Sequence, residues 1–228
     1  TARVWAADGA GEAVVLSGHG GPVLGAAFSP DGATVLTASA DHTARIWHAD
    51  GSGAPVVLIG HTGAVVSAAF SADGLRVVTA ADDHTARLWS ARSGAAEVVL
   101  AGHTGPVVSA AFSADGLRVV TASVDGTARV WAANGGAPAV ILAGHTGAVN
   151  DAQFSPDGTR VVTASSDHTA QLWDPNTGQP VGGPITHPDS IYWAYFSPDG
   201  RWLATTEFNG KVRLWDVTRR TLYFPPAD

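Results

Sequence analysis

Apolar and polar positions along this chain follow a pattern that returns every 42 residues. In the unit that begins at His61, Ala64–Phe70 is small, apolar and β-rich, and Ala72-Asp73-Gly74 then supplies turn chemistry. Leu75–Ala80 reads as a second strand, Asp82-Asp83-His84 as a second turn, and Thr85–Trp89 as a third strand. Ser90–Gly94 leads into a fourth strand, Glu97–Ala101, before Gly102-His103 opens the next unit. No window sustains the 3.6-residue periodicity of an amphipathic helix, and Gly, Thr and Val are spread throughout, so strands are the predicted elements.

Two ladders fix the phase: Trp5, Trp47, Trp89, Trp131, Trp173 and Trp215, and beside them His19, His61, His103, His145 and His187. An unbroken period of this length marks a repeat architecture, and four short strands per unit predict a propeller blade. Full units start near Pro22, Ala64, Pro106, Ala148 and Ser190, each with an Asp-Gly between its first two strands. Thr1–Trp5 and Ala13–Ser17 match only the third and fourth strands of the unit. The expected fold is therefore all-β: five complete four-stranded blades plus an N-terminal half blade, in an incomplete or open array. The expected single domain, 1–228, divides into the half blade 1–17 and full repeats 18–59, 60–101, 102–143, 144–185 and 186–228. The last unit closes its third strand at Trp215 and supplies a fourth at Thr221–Phe224, so the two ends do not complement each other. The expectation is a segment of a longer chain with further repeats upstream, oligomeric or aggregation-prone by itself.

Gly-His, Ser-Pro-Asp-Gly, Ser-x-Asp-x-Thr and a Trp closing the third strand together resemble the WD-repeat β-propeller family, over essentially the whole chain. The Trp-Asp pair itself survives only as Trp173-Asp174 and Trp215-Asp216. The resemblance implies a structural tetrad in each repeat: His61–Asp83–Thr79–Trp89, His103–Asp125–Thr121–Trp131 and their equivalents, with Ser39, Ser123 and Ser165 as alternative hydroxyls. In the last repeat Asn209 stands in the acid's place, so that blade is expected to be the weaker one.

Composition narrows the function. Hydrophobic residues make up 45% and charged residues 14%, enough for a packed core. Apolar runs are far too short to span a membrane as a helix. The net charge is −7 and the Arg residues are scattered, which excludes a concentrated nucleic-acid footprint. With no Cys there is no thiol or disulfide chemistry. Arg far outnumbers Lys and Ala is abundant, which suggests a GC-rich bacterial source, where such arrays resemble the C-terminal parts of multidomain signalling proteins. No signal peptide is visible and the expected location is the cytoplasm, although the chain contains no Met and starts inside a repeat.

Hydroxyl, His and Asp recur with the residue types of a catalytic triad. Five copies in one chain read instead as a buried hydrogen-bond network tying strands together. His42, His84 and His168 lie one per blade in Asp-His-Thr turns, too dispersed to converge on a metal, and Gly126 and Gly210 replace them elsewhere. No Gly-rich phosphate loop precedes a helix, and no cofactor or metal is expected.

The places where the repeats disagree are more informative. Five residues past the His stand Leu24, Val66, Val108, Asn150 and Tyr192; just before the acid stand Ala40, Asp82, Val124, Ser166 and Phe208. In the family both places lie on the narrow top face and commonly contact partners. Tyr192, Trp193 and Phe208 are therefore the expected centre of a protein or peptide partner site, with Asn150 and Ser166 at its edge. The expected function is a non-catalytic protein-interaction platform, with any effector module elsewhere on the polypeptide. Two alternatives are an enzyme using Asp151 and Asn150 in the central channel, and a self-assembling structural array without a ligand.

Overall fold

The computed structural model describes residues 1–9, 11–219 and 221–224, the last four by their backbone. Residues 10, 220 and 225–228, which fall within the expected units 1–17 and 186–228, lie outside the described residues. The chain is all-β, with five four-stranded antiparallel sheets and one two-stranded sheet among the described residues. The short sheet pairs β1 (Ala2–Val4) with β2 (Val14–Leu16). Blade A contains β3 (Val23–Phe28), β4 (Thr34–Ser39), β5 (Thr43–His48) and β6 (Val56–Ile59). Blade B contains β7 (Val65–Phe70), β8 (Arg76–Ala81), β9 (Thr85–Ser90) and β10 (Ala96–Ala101). Blade C contains β11 (Val107–Phe112), β12 (Arg118–Ser123), β13 (Thr127–Ala132) and β14 (Val140–Ala143). Blade D contains β15 (Val149–Phe154), β16 (Val161–Ser165), β17 (Thr169–Trp173) and β18 (Ile185–Thr186). Blade E contains β19 (Ile191–Phe196), β20 (Trp202–Glu207), β21 (Val212–Asp216) and β22 (Thr221–Phe224). In every sheet the strands lie side by side in chain order. No helix of the described residues is long and apolar enough to cross a membrane.

The connections follow from local chemistry. Between the first two strands of each blade a Ser hydroxyl donates to the Asp two residues on, as Ser71 does to Asp73, and that carboxylate accepts the Leu75 amide. The following Gly74 takes a φ of 70°, which a Cβ would disfavour. The second strand is covered on both faces, so it reads as a continuous apolar run; Val77–Ala81 is buried throughout.

The core lies between blades rather than within them. Leu36, Ile46 and Leu58 of blade A meet Val65, Val77 and Trp89 of blade B in one cluster, and the same partnership recurs at the B–C, C–D and D–E seams. Trp47 is sealed in the same way by Leu16 of the N-terminal hairpin. Trp5 is exposed, and among the described residues the sheet it adjoins has only the two strands β1 and β2.

The innermost strands β3, β7, β11, β15 and β19 neighbour one another in that order and line a shared groove of about 520 Å³. Towards the other end of the blades, Arg76 reaches across the B–C seam to the Gly116 carbonyl at 2.5 Å, its guanidinium over the Phe112 ring. Arg118 repeats this clasp across the C–D seam, 2.7 Å from the Gly158 carbonyl and over Phe154. At the A–B seam Thr34 stands in the Arg position and is too short, and a cleft of about 310 Å³ opens beside Phe70 and Gly74. A cleft of about the same size, 310 Å³, lies at the D–E seam, lined by Arg160, Phe196 and Gly200.

Trp89 is 1% exposed at such a seam. Trp89→Ala should cost roughly 3–5 kcal/mol, since a buried indole is removed and its polar partner is orphaned. Val66, half-buried on the groove, should cost less than about 1 kcal/mol when cut to Ala, with His61→Ala between the two. Urea denaturation of the three variants measures the order, and a ranking with Val66→Ala worst would reverse the assignment of faces.

Candidate functional site

Four segments of each repeat converge on one threonine. In blade B the His61 Nδ1 lies 2.8 Å from Asp83, its Nε2 lies 2.7 Å from the Thr79 hydroxyl, and the Trp89 indole donates to that hydroxyl at 2.8 Å. In blade C the corresponding distances are 2.8 Å from His103 to Asp125, 2.8 Å from His103 to Thr121 and 2.9 Å from Trp131 to Thr121. Blades A and D join His19–Asp41–Thr37–Trp47 and His145–Asp167–Thr163–Trp173 in the same way. A carboxylate can only accept, so Nδ1–H donates to it; Nε2 of the neutral ring then accepts from Thr, whose oxygen accepts from Trp. In this relay Nδ1–H, the Thr hydroxyl and the indole N–H each have an acceptor.

Ser39, Ser123 and Ser165 lie outside this relay: each hydroxyl accepts the amide of the adjacent acid and donates to a glycine carbonyl. A further hydroxyl takes part unforeseen. Thr85 donates to Asp83 at 2.6 Å, and Thr43, Thr127 and Thr169 do likewise to their own acids. The Ser-x-Asp-x-Thr spacing carried this signal, because a Thr two residues past an Asp can bond back to it.

Burial opposes ionisation of Asp83 and Asp167, but hydrogen bonds from the neighbouring Thr, a backbone amide and the His outweigh it and hold both carboxyls near 2. Asp41 and Asp125 are depressed by the same balance. Burial lowers His61, His103 and His187 despite their carboxylates, which keeps the imidazoles neutral at physiological pH.

The last blade departs from expectation. The partner of His187 is Glu207, at 2.9 Å, and not Asn209. Glu207 projects from the end of β20, where the other blades carry Ser or Ala, and its longer side chain covers the reach that an Asp in the turn provides elsewhere. Asn209 donates to Glu207 at 2.9 Å, and Arg213 forms a short ion pair with the same carboxylate. The charge assistance thought lost in blade E is thus supplied from a different position. The contact of His187 with Thr205 is longer, at 3.3 Å.

The variable positions acquire a common physical cause. In every blade the pairing of the first two strands shifts register at the residue five past the His, a β-bulge at 24, 66, 108, 150 and 192. In blade E the bulge breaks strand alternation, so Tyr192 and Trp193 are both exposed, at 42% and 46%. Phe208, in the turn after β20, is 61% exposed. Tyr192 meets Trp193 edge-on at 4.4 Å between centroids and Phe208 at 5.1 Å. The structure brings these three together. Asn150 and Ser166 sit beside one another in blade D, 3.0 Å apart, and Asn150 also donates to the Ile191 carbonyl of blade E. His42, His84 and His168 are exposed in left-handed turn conformations, with φ of 68°, 67° and 69°, where Gly126 and Gly210 stand in the other blades.

In the groove, Asp151 is buried and serves as a strut. It accepts from Ser109 of blade C at 2.8 Å and from Gln153 at 3.1 Å, and the Ala194 amide of blade E lies 3.5 Å away. Burial raises its carboxyl, and partial burial together with Asp151 pushes the Tyr195 phenol up to about 12. Asn150 and Asp151 are both engaged in inter-blade hydrogen bonds. Among the described residues no cluster of three or more His, Asp or Glu could hold a metal ion.

Five four-stranded antiparallel blades, each holding one buried His–hydroxyl–Trp relay and carrying a β-bulge in its first strand, define a blade-repeat protein. Residues 12–48, 55–90, 95–132, 136–174 and 178–216 match the family model described as WD domain, G-beta repeat, and the chain belongs to the WD40 repeat family. No curated protein matches the chain. Members of the family are typically protein-interaction scaffolds and generally non-catalytic.

Two outcomes follow for the relay. Glu207→Gln leaves the Arg213 charge in a largely buried site without its counter-charge and should cost roughly 3–5 kcal/mol. Asn209→Asp should destabilise rather than strengthen blade E, because it places a second carboxylate against Glu207. Chemical denaturation of both variants checks the pair. On acidification, the depressed imidazoles refuse protons that the unfolded chain takes up below about 6.5, so stability begins to fall there. The depressed carboxylates contribute fully above about 4, and that contribution is lost as pH falls towards about 2 for Asp83, Asp167 and Glu207. Melting temperatures between pH 8 and pH 2 should therefore be flat above neutrality and fall in two stages.

Proposed function

We propose that this chain is a protein-interaction platform, the recognition part of a larger regulatory polypeptide, whose partner docks against blade E. Tyr192, Trp193 and Phe208 form the centre of that surface, with Asn150 and Ser166 at its edge. The observation that carries the reading is the exposed, mutually packed aromatic trio, at three positions where the other four blades carry no aromatic residue. Rigid aromatics give large contact area at low entropic cost and dominate interface hot spots. The bulge at Tyr192 and the turn at Phe208 hold them on strands anchored by the His187–Glu207–Arg213 cluster, so the surface is preorganised. The same trio could instead seal blade E against a neighbouring blade, and one experiment separates the two roles. Tyr192→Ala/Phe208→Ala should weaken capture of the protein partner by roughly 30-fold or more with little change in melting temperature. Retained capture by a protein that melts markedly earlier would make these rings packing residues.

A further inference from the structure

Comparing the five blades with one another exposes an unfilled seat beside the relay of blade D. At the third position of the third strand the chain carries Arg45, Arg87, Arg129 and Arg213, but Gln171 in blade D. In blades A to C the guanidinium lies against the glycine that precedes the relay His. A Cβ built on Gly18, Gly60 or Gly102 would come within 2.8, 2.7 and 2.6 Å of the Arg45, Arg87 and Arg129 Nη1 atoms, respectively. Glycine is what lets the cation approach. Arg45 and Arg129 also lie 5.8 and 6.0 Å from the centroids of the Trp47 and Trp131 rings, within cation–π range. Their Nε atoms, like that of Arg87, are buried without a hydrogen-bond partner, so the seat holds the group by shape and, in blades A and C, by stacking.

Blade D keeps the seat and lacks the occupant. Gly144 retains the opening, and a Cβ there would meet only Trp173, at 3.1 Å. The shorter Gln171 turns its amide nitrogen to the Leu172 and Gly182 carbonyls, at 2.7 and 3.1 Å. What remains is a pocket of about 350 Å³ between Gly144, His145, Asp167, Gln171 and Trp173, with Pro180 and Pro184 at its mouth. The connection into β18 shapes that mouth: blade D has only the two residues Ile185–Thr186 in its fourth strand, where blade B has six, Ala96–Ala101.

We propose that this pocket binds one guanidinium group on an aliphatic stem, an arginine side chain supplied by another molecule. The indole of Trp173 stands where the sister blades A and C stack their guanidinium, the Gly144 opening admits the planar cation, and the polar Gln171 side chain lines the wall. The chain's net charge of −7 favours a cationic guest. The volume lies within the range of small-ligand sites. This site is separate from the aromatic trio of blade E, and its occupancy does not depend on that surface being a docking face.

The test is a titration of the chain with N-acetyl-arginine N-methylamide, followed through the indole N–H resonance of Trp173, against the lysine and citrulline analogues. A Gly-Gly-Arg-Gly-Gly peptide is titrated in parallel. The arginine compound should saturate at least 10-fold more tightly than either analogue, because lysine lacks the plane and citrulline the charge. Saturation by both arginine probes makes the side chain sufficient; saturation by the peptide alone makes the ligand an arginine within a polypeptide. Gln171→Arg, which restores the residue of the sister blades, should fill the seat and abolish binding while preserving or raising the melting temperature. Ala143→Trp, at the exposed edge of the pocket, blocks it independently. Absence of saturation by both arginine probes, equal binding of the lysine or citrulline analogue, or unchanged binding in both blocked variants would overturn the proposal. Tyr192→Ala/Phe208→Ala should leave the titration unchanged.

Discussion

The structure depends on one hydroxyl per blade. The Thr79 oxygen accepts from the Trp89 indole and bonds His61, so a loop and two strands meet at a single atom, and the imidazole links them onward to Asp83 in the turn. Each link is worth only about 1 kcal/mol net, but none can be broken without leaving a buried donor or acceptor unpaired. The relay also orients the indole that fills the seam to the preceding blade, so hydrogen bonding inside one repeat sets the hydrophobic packing between two. A residue at any of these positions is constrained twice, which is why they recur in phase while their neighbours drift.

That double constraint explains what was legible. The period, the Asp-Gly turns and the Thr–His–Trp register are written in residue types that few alternatives could replace, and the blades follow from them. Blade E was misread because its acid was sought by position. A carboxylate needs only to reach His187, and Glu207 does so from two residues earlier with one more methylene. The β-bulges were invisible for a different reason: they are a mismatch between two strands, carried in blades B to E without the Gly or Pro that would mark them. Their effect was nevertheless detectable as disagreement among repeats at residue 192 and its equivalents. The Arg-to-Gln difference at 171 was present in the sequence, but the void it leaves depends on a shortened fourth strand and two prolines at the mouth.

Constancy and variation are divided by depth. The buried His, Thr and Asp side chains of the relays have fixed partners, and so does Asp151, which has the setting of a catalytic acid but braces blades C, D and E. Freedom is left at the bulge and at the residue before the acid, and blade E alone fills both with aromatic rings. The same economy keeps the left-handed turns generic: His in three blades and Gly in two others serve one backbone conformation.

The arginine clasps give the array an uneven stiffness. Arg76 and Arg118 rivet blade B to C and C to D, each adding a charge-assisted bond and a stacked ring to the apolar seam. Open clefts lie at the A–B seam, where Thr34 replaces the arginine, and at the D–E seam, where Arg160 lines the wall. Under a load applied at its two ends, the array would yield unevenly, with blades B to D held as a clasped trio. Strain would concentrate at the A–B joint, because blade E is tied to blade D by Asn150 on the Ile191 carbonyl and by Ser190 on the Ser166 carbonyl.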